Sequence, residues 1–246
     1  MSVSIINTLD SYSTLGGSPL LTDLTGYWQI DESGGSTLYN EIGANVDLST
    51  DATLNQSGII GTSASIGSGQ SIDLPYDSTV NFHSSTWSIS FWLYINNTAS
   101  TLAHNVYLIY ARDDTYSFGV RFIQTTSNYY SIILKNSSAS EYYSDSSSAI
   151  TTTGSWMHFV IVFRGSGYTT LMYLNNSNIT AGWSTSFSGS MLQNGSYTCF
   201  GNANTDGTSL YMDGRIDEIG IWSRELSSDE VSDLYNSGSG LTYPFS

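Results

Sequence analysis

The sequence predicts an all-β fold: two antiparallel sheets packed face to face, closed by one short helix near the C-terminal end. Three observations predict it. Short apolar or alternating runs recur along the chain, separated by polar turns and with no helical periodicity between them. Aromatics make up 13% of the residues and charged residues only 11%, and Ser, Thr, Asn, Gly and Tyr dominate, a composition suited to many short strands joined by tight turns. Near the end, RIDEIGIWSRELSSDEVSDLYNSGSG, residues 215–240, runs from an apolar strand into one capped helix. At 246 residues the chain has length for one large sandwich with a self-sufficient core. No linker composition marks a second domain, and no repeat of fixed period is present.

The elements follow in order. Residues 1–23 mix Ser, Gly and Pro with Val3, Ile5, Ile6, Leu9, Leu15, Leu20 and Leu21. A solvated tail needs few apolar side chains, so this stretch reads either as an arm for a partner or particle, or as an extra edge strand. The domain proper is set at 24–246, with residues 26–31 as its first strand. Residues 87–95 alternate, Trp87, Ile89, Phe91, Leu93 and Ile95 facing one way and Ser88, Ser90, Trp92 and Tyr94 the other. Strands are predicted at 106–110, 117–122 and 130–135. Residues 156–163 are apolar on both faces, as for a central strand with one face on the core and the other lining a groove. Strands at 171–174, 197–200 and 215–222 complete the series. The helix then opens with Ser227 as N-cap and Glu230 closing a capping box. Leu226 is placed to staple onto Val231. Asp229 and Glu230 complement the helix dipole, and Gly238 stands where a C-terminal stop is expected.

With these residues in view the chain resembles the laminin-G-like (concanavalin A-like lectin/glucanase) jelly-roll domains. Their terminal pattern is matched by Gly214, Ile216, Asp217, Glu218, Ile219, Ile221, Trp222, Arg224, Leu226, Ser227, Glu230, Val231, Leu234, Tyr235 and Gly238. Upstream, LTGYWQIDESGG from Leu24, SGIIGTSA from Ser57, WSISFWLYI from Trp87, WMHFVIVF from Trp156, YLNN from Tyr173 and FGN from Phe200 stand in the family's order. The resemblance spans about residues 24–240 and implies a concanavalin A-like sandwich. It leaves the ligand open, because such domains range from sugar binders to adhesive and purely structural modules.

Charge narrows the partners. The net charge is −15, with 21 acidic against six basic residues, which argues against nucleic acid and anionic membrane surfaces. No run approaches the length of a membrane span. Cys199 is the sole cysteine, so no internal disulfide forms, and its apolar setting predicts burial. The first residues lack a basic stretch followed by an apolar core, so no secretion signal is read there. The N-x-S/T triplets at Asn55, Asn96, Asn136, Asn175, Asn178 and Asn194 follow from the abundance of these residue types and are not expected to be glycosylated.

Catalytic patterns are missing. Glycosidases on this fold set two carboxylates on neighbouring inward positions of one strand, and the sequence has no such run. Asp213, Asp217 and Glu218 come nearest but belong to the terminal strand. The lyase-type pairing of histidine and tyrosine beside an arginine-rich strand is also missing, and His158 reads as a satisfied core imidazole. The expectation is a non-catalytic module.

Binding candidates are aromatic rings in polar stretches: Trp183 in TAGWSTS, Tyr129 after QTTSN, and Tyr142 with Tyr143 in SASEYYSDSSS. Sugars lay their C–H faces on such rings while polar side chains bond the rim hydroxyls. Calcium, as a structural ion, has two candidate places: Asp31, Glu32 and Asp217, or Asp113 and Asp114. The reading is a glycan-binding or adhesive module on a particle surface, a phage decoration or host-attachment protein. Its partners would be surface glycans of a host or neighbouring cell, and a homo-oligomer or virion partner held through the N-terminal arm. A secreted or cell-surface adhesin and a ligand-free structural decoration protein are the alternatives.

Overall fold

The computed structural model describes residues 17–42, 47–75, 82, 85–112, 118–192, 197–201 and 210–246. Its strands in chain order are β1 (Leu24–Trp28), β2 (Thr37–Leu38), β3 (Leu48–Thr50), β4 (Thr53–Ser57), β5 (Thr62–Ile66), β6 (Ile72–Pro75), β7 (Trp87–Ile95) and β8 (Val106–Arg112). They continue as β9 (Phe118–Gln124), β10 (Tyr130–Lys135), β11 (Glu141–Asp145), β12 (Trp156–Phe163), β13 (Leu171–Leu174), β14 (Ser177–Asn178), β15 (Tyr197–Phe200) and β16 (Gly214–Trp222). One helical turn, α1 (Ala99–Leu102), interrupts them, and α2 (Ser228–Tyr235) follows the last.

All pairing is antiparallel, in two sheets. The first is ordered β14-β13-β12-β7-β16-β5-β4, with β1 also on β16. The second runs β11-β10-β9-β8-β15-β6-β3-β2. The fold is the predicted all-β two-sheet jelly-roll sandwich with a short C-terminal helix. A bulge between Asp217 and Gly220 lets β16 exchange one neighbour for another: residues 214–216 pair with β5, and residues 219–222 pair with β1. Glu218, within the bulge, takes a left-handed φ of 52°.

The alternation read in residues 87–95 places Trp87, Ile89, Phe91, Leu93 and Ile95 in the core between the sheets, where Phe91 stacks on Phe159 at 5.8 Å. The opposite face of this sheet differs from expectation. Across the middle of residues 156–163 that face is no groove, because α2 and the C-terminal residues cover it. Val160 and Val162 pack there with Trp222, Leu226, Val231, Leu234 and Phe245 in a second apolar cluster. Each such side chain contributes roughly 1.5–3 kcal/mol by leaving water. Ser88 spans the junction, its hydroxyl donating to the Arg224 carbonyl at 2.8 Å and accepting the Leu226 amide at 3.0 Å.

The capping box forms as read: the Glu230 amide donates to Ser227 Oγ, and the Ser227 amide donates to Glu230 Oε2. Leu226 and Val231 are both buried, completing the staple. The helix stops earlier than Gly238, because Asn236 itself adopts the left-handed conformation at the C-cap. The first strand begins and ends earlier than predicted, before Ile30 turns left-handed at φ 62°. The short strands between residues 37 and 75 were not foreseen, since their polar, glycine-broken runs show little alternation. Among the described residues of the N-terminal segment, 17–23, Leu20 is buried in the second cluster. Trp222 Nε1 donates to the Leu20 carbonyl at 2.7 Å, and Arg224 donates to the carbonyls of Pro19 and Thr22, each at 2.9 Å. Residues 1–16 lie outside the described residues, as do Asp113 and Asp114.

Candidate functional site

One long side of the sandwich is closed by the segment from β14 to Leu192, which bonds to the edges of both sheets. Toward the first sheet, Ile179 donates to the Met172 carbonyl at 2.8 Å and Phe187 to that of Tyr168 at 2.9 Å. Toward the second, Ala181 donates to the Asp145 carbonyl at 2.7 Å, Thr185 to Tyr143 at 2.8 Å, and Leu192 to Lys135 at 2.9 Å. The Thr185 hydroxyl also accepts the Tyr143 amide at 2.8 Å. This seam saturates the β11 edge, which otherwise would present unpaired amides.

Exposed rings gather along it. Trp183 is 66% exposed, Tyr168 52% and Tyr143 42%, and they are three of the five large apolar side chains exposed among the described residues. Trp183 stands in the turn whose flanking residues bond Asp145 and Tyr143, while Tyr168 is bonded on the opposite edge beside Phe187. Charged groups frame the rings. Tyr143 donates its hydroxyl to Glu141, which also pairs with Arg121 at 2.5 Å; the hydrogen bond to Glu141 raises the Tyr143 phenol above its ordinary pKa. The Arg164 guanidinium lies 4.8 Å over the Tyr168 ring and pairs with Glu225 at 3.5 Å. A cleft of about 260 Å³ opens at the same edge, lined by Phe163, Ser166, Phe187, Gly189 and Met191. Rings with carboxylate, guanidinium and hydroxyl groups beside them are the parts a sugar site requires.

The sequence candidates divide. Trp183 and Tyr143 come together on the seam. Tyr142 turns inward and packs on Phe187 at 5.0 Å, because Tyr142 and Tyr143 lie on strand β11 rather than in a loop and must face opposite ways. Tyr129 is half-buried beside the 125–128 turn, away from the seam ladder. Tyr168 was missed. Its signal was present in RGSGYTT, a tyrosine following two glycines in a polar turn, the same logic that selected Trp183.

The acidic candidates are tied to backbone. Asp31 Oδ1 accepts the Thr62 amide at 2.6 Å, Glu32 Oε1 that of Tyr39 at 2.8 Å, and Asp217 Oδ2 those of Ile59 and Ile60 at 2.9 and 3.4 Å. Among the described residues no three His, Cys, Asp or Glu side chains form a metal-ligand group. Asp217 braces a turn, and burial pushes its pKa up to about 9. Glu218 beside it takes the Tyr27 hydroxyl, and burial raises it to about 7. His158 is buried, its Nε2 sharing a 2.8 Å hydrogen bond with Ser90 Oγ, and burial lowers its pKa to about 3. Cys199 is buried, as read, which raises its thiol pKa.

Comparison with known proteins agrees with this architecture. The binding domain of Paraclostridial Mosquitocidal Protein 1 superposes with a TM-score of 0.68 at 18% identity, covering 89% of this chain and 53% of that one. The binding domain of Botulinum Neurotoxin DC in complex with SialylT gives 0.64 at 14%, covering 89% and 52%. Trypanosoma rangeli sialidase in complex with the inhibitor DANA gives 0.63 at 14%, covering 87% and 33%. This chain thus spans about half of those binding domains and a third of the sialidase. At these identities the likeness establishes fold alone. Comparison with curated proteins finds no significant match. A family model described as the concanavalin A-like lectin/glucanases superfamily matches residues 66–232, from the end of β5 into α2. The chain belongs to the concanavalin A-like lectin/glucanase superfamily.

Proposed function

We propose that this chain is a non-catalytic carbohydrate-binding module, with the seam of Trp183, Tyr143 and Tyr168 as its glycan platform. The observation that carries the reading is three exposed rings along one seam, Trp183 and Tyr143 on its β11 side and Tyr168 on the side of the first sheet, with Glu141, Arg121 and Arg164 beside them. Binding domains among the similar structures, one of them in complex with SialylT, support it. The absence of turnover is supported by where the carboxylates lie: Asp217 and Glu218 are 0% and 2% exposed and engaged by protein groups.

A platform of a few rings and hydrogen bonds gives roughly micromolar to millimolar affinity per site, about 4–8 kcal/mol. Such a site serves adhesion when many copies act together, which supports display on a particle surface, as in a phage decoration or attachment protein. The test is a multivalent preparation on a broad glycan array and on intact cells. Trp183→Ala should lower the signal with the melting temperature unchanged. Binding nowhere, or binding indifferent to Trp183, Tyr143 and Tyr168, would leave a structural decoration protein. Release of reducing ends from a polysaccharide panel would overturn the non-catalytic part.

A further inference from the structure

A second aromatic group lies on the outer face of the first sheet, beyond the cover of α2. Five residues form a row across adjacent strands: Thr53 on β4 opposes Ser65 on β5, which opposes Arg215 on β16. Arg215 in turn opposes Tyr94 on β7, which opposes Trp156 on β12. Thr53 is exposed and the other four are half-buried. The next row inward, Asp217, Trp92 and His158, is closed by Tyr235 of α2 stacked 5.9 Å from Trp92. The Arg215 row is therefore the one at which the sheet opens to solvent.

Arg215 is held in place and, among the described residues, has no acidic partner. Its Cζ lies 4.0 Å from the Tyr94 ring centre and 5.4 Å from that of Trp156, and the two rings meet edge to face at 5.6 Å. One guanidinium nitrogen, Nη1, donates to the Ser57 carbonyl at 2.6 Å. Two acids share its side of β16, and both are turned elsewhere. Asp213 accepts the side-chain amides of Asn96 and Asn97, and Asp217 accepts the backbone amides of Ile59 and Ile60. Among the described residues Arg121, Arg164 and Arg224 pair with glutamates, whereas Arg215 has no ion pair. In a chain with 21 acidic and six basic residues, a cation held on two rings with no acid reaching it among the described residues points to binding more than to solubility. A guanidinium has five N–H donors in a planar fork, and stacking leaves its edge free to take a carboxylate. Holding the fork on two rings removes the rotamer entropy that an unrestrained arginine loses on binding.

We infer that Arg215, Tyr94 and Trp156 form a second site, selective for a carboxylate-bearing sugar residue of the uronic or sialic class. The carboxylate pairs with the free guanidinium edge, and the pyranose C–H face lies against Trp156. The saccharide part rests on the reading of the chain as a glycan binder; the carboxylate part rests on Arg215 alone.

The test is a titration followed by NMR at the Trp156 indole and Arg215 Nε, with sodium glucuronate, glucuronamide and sodium acetate as probes. Glucuronate is expected to move both signals in the millimolar range, with glucuronamide and acetate each at least about tenfold weaker. Arg215→Gln should erase the difference between glucuronate and glucuronamide, and Arg215→Lys, which keeps charge but not the fork, should retain only part of it. Trp183→Ala should leave this titration unchanged, so a failed seam and a failed Arg215 site are read separately. Equal response to glucuronate and glucuronamide would overturn the site, and acetate equalling glucuronate would overturn its saccharide selectivity. If Arg215→Gln does not fold, the wild-type shifts decide: no movement at Trp156 or Arg215 overturns the proposal.

Discussion

The two long faces of this molecule treat aromatic residues in opposite ways. Over the outer face of the first sheet, Trp222, Tyr27 and Phe245 are buried under α2 and the C-terminal residues, and apolar contact holds them. Along the seam, Trp183, Tyr143 and Tyr168 stand in solvent, and hydrogen bonds of the backbone beneath them hold their positions. The first region turns ring area into stability. The second positions rings without drawing on them for stability, leaving them exposed to a ligand.

Substitutions should separate the two regions. The largest effect belongs to the covered face: Leu226→Ala or Leu234→Ala, at 4% and 2% exposure, should each cost about 2–4 kcal/mol, read by denaturant unfolding. An unchanged midpoint for both would mean that α2 does not brace the sandwich.

Next comes pH. Asp217 and Glu218 have pKa values raised by burial, to about 9 and about 7. The folded state therefore binds protons more tightly than the unfolded chain. Their contribution to stability is fully present below the ordinary carboxylate range and is lost as pH rises through about 7 and then about 9. Unfolding free energy should therefore fall as pH rises from 5 to 9. Glu218→Gln should flatten the lower part of that slope; a slope unaltered by it would place the titrating groups elsewhere.

A smaller loss, about 1 kcal/mol, is expected for Ser227→Ala through the missing cap. The smallest belongs to the seam. Trp183→Ala should change stability by no more than about 0.5 kcal/mol while removing glycan binding. A large stability loss there would mean that the ring packs, and would break the contrast between the two regions.

Much of the covered face was legible in the sequence because local chemistry writes it. Ser227 with Glu230, Leu226 with Val231, and the alternation from Trp87 to Ile95 are short-range patterns with short-range causes. The seam was less legible. Its strand β11 reads EYYSD, whose single buried position, Ser144, gives no apolar alternation, and residues 179–192 pair with two different sheets through ladders too broken to leave a period. Trp183 and Tyr143 stood out by being large rings in polar surroundings. Tyr142 and Tyr143 could not be told apart without knowing that a strand carries both. The Arg215 row was invisible for a different reason: its members are far apart in sequence, and only the order of β4, β5, β16, β7 and β12 aligns them.

The double bonding of the seam has a mechanical meaning. A ligand seated at Trp183 and dragged by a moving surface would load the ladder to Tyr143 and Asp145 together with the ladder to Tyr168 and Met172. Force divides between two edges that must yield at once, instead of peeling one hairpin bond by bond. An adhesive contact mounted on this strap would resist tension better than its weak equilibrium affinity implies.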